Sequence, residues 1–264
     1  EKFFDQFGVI IADEAHEYTA KTTKELISKT GNIPYKFGTT ATLQDTKCHS
    51  LVLEGMFGIP ISCTTTKKLI DAGKLASAKV IALVLNHPEE VCKRLKAENS
   101  YVSEIEEIIN SPKRNAFLVN FISKVPKNTL VLFNHIDHGT YIRDKIKQHT
   151  NRPVYYIDGS VKAEVREEIR LKMEVENNAI LLAQLRTAST GLNIKNLHNV
   201  FFIHPSKQKN RTLQSIGRIL RKLVGKTATV FDIADNMMYK KHKNITLDHF
   251  LIRLETYHHE QYPV

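Results

Sequence analysis

Short apolar runs rich in β-branched residues alternate along this chain with longer stretches whose apolar positions recur every three or four residues. Runs of the first kind, bounded by turn formers, predict buried strands; the second kind predicts helices with one buried face. Strands are predicted at Phe7–Ala12, Tyr35–Thr39, Ile61–Thr64, Lys79–Asn86, Thr129–Asn134, Pro153–Ile157, Ala179–Gln184, Asn199–His204 and Thr227–Ile233. Helices are predicted over Thr19–Lys29, Cys48–Met56, Thr65–Ala72, Pro88–Ala97, Val102–Asn110, Lys113–Val125, Asp137–His149, Val161–Glu176, Lys207–Lys222 and Leu247–Tyr257. Local signals sharpen several ends. Thr19 is read as a helix cap, Gly31-Asn32-Ile33-Pro34 as a break, Gly73 as a left-handed C-terminal cap, and Pro112 suits a first helical turn. Phe117, Leu118, Phe121 and Ile122 recur at helical spacing and read as core.

Strands that alternate with helices imply parallel, doubly wound sheets, so the fold class is α/β. The boundary between a smaller part, 1–75, and a larger one, 76–264, is expected near Leu75.

Composition changes this picture in two ways. With 264 residues and 42% hydrophobic content the chain can hold two modest cores, and no apolar run approaches the ~20 residues of a membrane span. The opening Glu1-Lys2-Phe3-Phe4-Asp5 is unlike a signal peptide, and Cys48, Cys63 and Cys92 show no Cys-x-x-Cys spacing. A reducing, cytoplasmic setting is expected, without a disulfide framework or zinc site. Net charge is +10, and residues 1–75, with nine basic and nine acidic side chains, contribute none of it. The excess lies in the larger part, which points to a polyanionic partner over a generic solubility charge.

Candidate chemistry clusters in a few places. Asp13-Glu14-Ala15-His16 follows the first strand directly, and an acidic pair at the C-terminal end of a parallel strand sits where open α/β sheets bind ligands. Thr40-Ala41-Thr42 follows the next strand; its hydroxyls can bond a neighbouring carboxylate, or form an ordinary turn. Far downstream, 207–226 holds seven Lys or Arg and no Asp or Glu, and Gln214-Ser215-Ile216-Gly217-Arg218-Ile219-Leu220-Arg221 places two arginines on one helix face. Arginine forks match phosphate oxygens, while the bland reading is a solvated basic helix. Small hydroxyl residues beside a glycine, Ser189-Thr190-Gly191, expose backbone amides to anions. His135 and His138 resemble a metal pair, but no acidic or thiol partner has ligand spacing.

Asp-Glu-Ala-His after a buried strand, with Gln-x-x-Gly-Arg-x-x-Arg near the other end, resembles the superfamily 2 helicases of the DExH kind. Thr40-Ala41-Thr42 and Ser189-Thr190-Gly191-Leu192-Asn193 are similar to further motifs of that family. Gly55-Met56-Phe57-Gly58, Lys195-Asn196-Leu197-His198 and Gln214–Lys222 are similar to the recombination and repair helicases of T4-like phages. The resemblance covers nearly the whole chain. It implies RecA-like sheets, with a partial first lobe and one nearly complete second lobe, and hydrolysis of ATP bound with Mg²⁺ between them. It implies that Asp13 holds Mg²⁺ through water, that Glu14 orients the attacking water, and that His16 links the nucleotide to the arginine stretch. Arg218 and Arg221 would reach the γ-phosphate, Arg221 as an arginine finger, a device that contributes about 10³–10⁵ in rate. Gln214 would sense nucleotide, Gly191 would let the backbone approach it, and Asn193 stands where many relatives have Asp. Thr40, Ala41 and Thr42 would couple hydrolysis to movement. Asn134, His135, Gly159, Ser189 and Thr190 would meet DNA, single-stranded or branched, with RNA a further option.

A helicase also needs a P-loop. Gly225-Lys226-Thr227 fails, since Leu220 stands where the first glycine belongs and the stretch runs into a strand; Gly73-Lys74 is followed by Leu75. The chain is therefore expected to begin downstream of the P-loop and to be a piece of a longer helicase, with a P-loop lobe as its missing partner. Two other readings stay open: a non-catalytic nucleic-acid-binding fragment, and a double-strand DNA translocase that does not separate strands.

Overall fold

The structure, a computed structural model, describes residues 3–40, 47–188, 192–206, 216–217 and 227–264. The chain divides into two compact units, Glu1–Thr64 and Thr65–Val264. The division lies before the expected position at Leu75 because Leu75 packs against the core of the second unit.

In the first unit, β1 (Val9–Ala12) and β2 (Tyr35–Gly38) form a two-stranded parallel sheet with Val9 opposite Tyr35 and Ala12 opposite Gly38. Between them lie a 3-10 turn, Ala15–Thr19, and α1 (Lys21–Ser28). Thr19 is not the cap of α1; it closes the 3-10 turn, and Ala20 stands at the N-cap without a side-chain bond. The helix α2 (Lys47–Phe57) follows, and Gly58 ends it at φ +87°, which glycine adopts without penalty. The strand expected at Ile61–Thr64 does not form. The sheet of this unit contains β1 and β2, and Ile61, in a strand-less segment after Pro60, is 85% exposed. An apolar composition makes a strand only where the backbone finds a partner, and among the described residues this run pairs with none.

The second unit opens with α3 (Thr66–Asp71), whose N-cap Thr65 accepts the Lys68 N–H, and Gly73 follows at φ +63°. The chain then alternates through β3 (Ser77–Asn86), α4 (Glu89–Glu98), α5 (Tyr101–Asn110), α6 (Pro112–Lys124) and β4 (Thr129–Phe133). It continues through α7 (Ile136–His149), β5 (Val154–Ile157), α8 (Ala163–Val175), β6 (Ile180–Gln184), the single turn α9 (Leu185–Ala188) and β7 (Asn199–Phe202). The last elements are β8 (Thr227–Asn236) and α10 (Ile245–His259). The strands form one parallel sheet in the order β3-β8-β7-β4-β6-β5.

Apolar side chains alternate between the two faces of this sheet. Leu130, Leu132, Leu181 and Val200 enter one core, with Tyr257 of α10; Val131, Phe133, Leu182 and Phe201 enter the other, with Leu118, Ile122, Ile142 and Ile146 of α6 and α7. The expected core positions of α6 thus hold, Phe117 excepted, which is 38% exposed. Gly139 lets α7 lie close on the sheet; a Cβ there would meet the Phe133 ring at 2.5 Å. At the N-terminal edge Arg152 gathers carbonyls, donating to Val125 O at 2.6 Å and Lys127 O at 2.8 Å. Because every strand runs the same way, all six C-termini open on the opposite edge.

Candidate functional site

In the first unit, β1 delivers Asp13 beside the end of β2. Thr39 Oγ1 donates to Asp13 Oδ1 at 3.1 Å, and the Glu14 backbone N–H donates to the same oxygen at 2.9 Å. Thr39 N–H also donates to Ala12 O, and Ala15 N–H to Thr39 O, so the two strand ends are laced through the backbone. Glu14 is held at φ +51°, in the left-handed region that a non-glycine residue seldom occupies. Strain of this kind collects where a side chain must be aimed. His16 is buried; its Nδ1 lies 2.9 Å from Thr40 Oγ1 and 3.2 Å from Glu14 Oε2, while the Glu14 side chain is 45% exposed. Asp13, Glu14, His16 and Thr40 therefore form one cluster at adjacent strand ends. Thr39, which the sequence reading passed over, makes the contact to Asp13. Gly38 permits the close approach, since a Cβ would meet Ala15 and Phe57 at 2.9 Å.

In the second unit, three of the expected residues meet at the C-terminal edge. Asn134 and His135 connect β4 to α7, with His135 at the N-cap. Gly159 follows β5, in a turn where Asp158 Oδ1 accepts from Ser160 N and Ser160 Oγ at 2.8 and 2.6 Å. Those bonds hold the Asp158 carboxyl below its usual pKa. Gln184, at the end of β6 between these strands, joins them: its amide donates to Asn134 O at 3.3 Å, and its Oε1 would lie 3.7 Å from a Cβ at Gly159. Asn193 stands apart; it is exposed, and its carbonyl accepts from Arg170 at 3.5 Å. His138 does not face His135. It is buried, with Nε2 3.0 Å from Asn115 Oδ1, and the ring beside His135 is His204, at 4.9 Å between centroids. Burial pushes both His138 and His204 down to a pKa of about 3, aided by Arg114 for the first and by His135 for the second.

His204 belongs to a gripped segment. Beyond β7, Ile203 O accepts from Arg114 Nη2 at 2.8 Å, and Ser206 O accepts from Arg253 Nη1 at 2.5 Å. Each guanidinium is anchored on β8: Arg114 on Asp235 at 2.7 Å, and Arg253 on both oxygens of Asp232 at 2.8 Å. Tyr257 adds its hydroxyl to Asp232 at 2.7 Å. Burial works against the charge of Arg253, and Asp232 outweighs it and raises its pKa. The segment thus held leads directly into 207–226.

Ala41, Thr42, Ser189, Thr190, Gly191, Gln214, Arg218 and Arg221 lie outside the described residues.

Residues 113–222 match the family of helicase conserved C-terminal domains. This stretch is a helicase C-terminal domain. Over 276 aligned residues the chain is 34% identical to the ATP-dependent DNA helicase uvsW of Enterobacteria phage T4, covering 99% of this chain and 55% of that protein. The crystal structure of T4 UvsW superposes with a TM-score of 0.62 at 33% identity, over 98% of this chain and 53% of that one. The DNA-bound structure of the ATP-dependent Type ISP restriction-modification enzyme LlaBIII superposes with a TM-score of 0.64 at 16% identity, over 96% of this chain and 20% of that one, a likeness of fold alone. These likenesses match the C-terminal part of a superfamily 2 helicase, as the Asp-Glu-Ala-His and arginine stretches implied, and the six-stranded sheet is that of a RecA-like helicase lobe. The chain spans about half the length of the T4 relative, 55% by sequence.

The donor set of the first cluster fits a Mg²⁺–nucleotide complex. Asp13 is exposed and offers hard carboxylate oxygens, and among the described residues no group of three or more His, Cys, Asp or Glu could cage a metal by itself. Mg²⁺ usually keeps several waters and is bound by one or two carboxylates plus phosphates, which a single exposed Asp can serve. Among the described residues no helix is long and apolar enough to cross a membrane.

Proposed function

We propose that this chain is the motor portion of an ATP-dependent superfamily 2 DNA helicase or translocase that acts in recombination, repair or branch migration. The observation that carries the reading is the lacing of Asp13 to Thr39 and of His16 to Thr40 at neighbouring parallel strand ends. A carboxylate and a histidine each tied to a hydroxyl of the next strand can report a change at the nucleotide to that strand.

Mg²⁺ with ATP would supply charge neutralisation at the transferring phosphoryl group. Asp13 would hold that ion, and Glu14 would orient the attacking water and accept its proton. His16 would pass the state of Glu14 to Thr40, and from there to Ala41 and Thr42. Arg218 and Arg221 would counter the γ-phosphate charge, with Gln214 and Gly191 close to the nucleotide. The edge carrying Asn134, His135 and Gly159, together with Ser189 and Thr190, would follow the DNA backbone without reading bases. The T4 relative's printed description, an ATP-dependent DNA helicase, supports this assignment.

ATP hydrolysis by the full-length protein, with and without single-stranded DNA, tests the reading. DNA-stimulated turnover that disappears in Glu14→Gln and in Arg221→Ala, with ATP binding retained, is the expected result. DNA binding with no turnover would replace it with a non-catalytic nucleic-acid-binding protein. Stimulated turnover without strand separation would identify a double-strand translocase.

A further inference from the structure

Beyond β8 the chain makes a tight turn. Tyr239 and His242 exchange both backbone hydrogen bonds, at 3.1 and 3.0 Å, which leaves Lys240 and Lys241 at its tip. Lys240 has φ +54°. That position of a two-residue turn favours Gly, Asn or Asp, so a lysine there is held against the backbone preference. Lys240, Lys241 and Lys243 are exposed, and so are Lys93 and Lys96 on α4. The ammonium groups of Lys96 and Lys240 each lie 5.6 Å from the centre of the Tyr239 ring. Tyr239, Lys93 and Pro88 line a shallow cavity of about 600 Å³, shared with Glu89 and Glu90 in the first turn of α4. Among the described residues none of these lysines is ion-paired, unlike Lys172, which meets Glu168 at 2.7 Å.

The base of the turn is tied by side-chain hydrogen bonds. Asn244 Oδ1 accepts the Met237 N–H at 2.9 Å, and its amide donates to Asp235 O at 3.1 Å. The buried Glu104 accepts the N–H groups of Ile245 and Thr246 at 2.8 and 2.7 Å, which caps α10 behind it. A fixed turn that spends its strained tip on two lysines suits a point-charge contact to phosphate.

We propose that the turn at 239–243 and the facing side of α4 form an additional contact for the phosphate backbone of DNA, built from Lys240, Lys241, Lys243, Lys93 and Lys96 around Tyr239. The proposal rests on the DNA-motor reading above and extends its track. The ends of β8 and β4 share one edge with β7 between them, roughly 10 Å across the sheet, and β8 runs on past the level of Phe133 to Asn236, roughly 10 Å further along its strand. A strand that meets Asn134 and His135 needs only a few nucleotides more to reach the lysines. Lysine contacts of this kind are indifferent to sequence and release counterions, so they show in the salt dependence of binding.

The test is a binding titration of the full-length protein across a salt series, with a labelled single strand and a labelled duplex as separate probes. In Lys240→Gln/Lys241→Gln/Lys243→Gln, affinity at physiological salt should fall about tenfold or more, and the slope of log K against log salt should drop by roughly two. The strand that loses more identifies which form lies on the turn. Lys124→Gln/Lys145→Gln/Lys147→Gln removes equal charge from the C-terminal ends of α6 and α7, at the opposite edge of the sheet, and should leave the slope unchanged. Lys240→Gly relieves the left-handed backbone; it should keep or raise the melting temperature and still lower the slope by about one. An unchanged slope in the turn variants, or equal losses in the turn and control variants, overturns this contact while leaving the DNA-motor reading in place. Absence of DNA binding by the unaltered protein overturns both.

Discussion

In the second unit β4 is buried at every position from Thr129 to Phe133, with helices on both faces of its sheet. In the first unit, β1 and β2 pair Val9 with Tyr35 and Ile11 with Phe37, and these four side chains remain 50%, 61%, 68% and 55% exposed. The opposite face of that small sheet does pack, with Ala12 buried and Gly38 against Phe57. Both sheets are parallel and both come from the same kind of apolar run. Parallel strands normally gain stability by burial on two faces, whereas among the described residues the sheet that carries Asp13, Glu14 and His16 is covered on one side. The described part of the first unit buries Ala12, Ala15, Ile27, Ile33 and Leu53 and adds hydrogen bonds between its strand ends; the second has apolar layers on both faces of its sheet and buried ion pairs.

Several experiments break or sharpen this contrast. Asp232→Ala strips the anchor from a buried guanidinium and from Tyr257. It should cost the second unit about 3–5 kcal/mol in chemical denaturation while a reporter at Tyr18 in the first unit keeps its transition. A common shift of both transitions would show that the units do not unfold separately.

Acid should act on the second unit next. His138 and His204 are neutral in the fold, with pKa values of about 3, while an unfolded histidine titrates near 6.5. The unfolded state binds more protons below pH 6.5. Stability is therefore complete above that pH and is lost as pH falls from 6.5 toward 3. The loss is roughly 1.4 kcal/mol per pH unit for each ring, so denaturation at pH 5 should fall well short of that at pH 7. Replacing both rings by glutamine should flatten the profile.

Gly139→Ala would force a methyl group into the Phe133 ring and should cost about 1–3 kcal/mol. In the first unit, Thr39→Val removes one hydrogen bond to a carboxylate. Turnover of ATP by the full-length protein should fall about tenfold, on the order of 1.4 kcal/mol, with far-UV circular dichroism unchanged. The smallest effect is expected for Ile11→Thr on the open face. Its unfolding free energy should stay within about 0.5 kcal/mol, and binding of a hydrophobic dye should decrease. A larger loss would mean that this face is packed in solution.

Much of the architecture was legible beforehand. The β-branched runs from Lys79 to Ile233 became the six strands, Pro112 opens α6, and Thr65 and Gly73 bound α3 as their chemistry requires. Ile61–Thr64 misled because its composition suits a strand, but among the described residues it pairs with no strand. Thr19 misled because a hydroxyl beside a helical run is a cap only if the backbone turns there, and the 3-10 turn carries the chain one residue further. At the candidate sites, Asp13, Glu14, His16 and Thr40 announced themselves through their order after two strands. Thr39 did not, since a threonine inside a strand pattern reads as ordinary β propensity. Gln184 and Arg253 carried no signal either; one ends an apolar run, and the other lies in an unremarkable helix.

By itself the sequence determined where the six strands of the second unit lie, the neutrality of the first part against the basic second part, and the residue types at each strand end. These depend on periodicity, turn chemistry and charge within a few positions of each residue. The tertiary structure decided the order β3-β8-β7-β4-β6-β5, and with it every partner brought from far along the chain. It set Arg114 on Asp235, Arg253 on Asp232, His204 beside His135, and Lys96 of α4 over Tyr239. Such contacts follow from which strands become neighbours, and that choice is made by burying two apolar faces at once, a condition no local pattern contains.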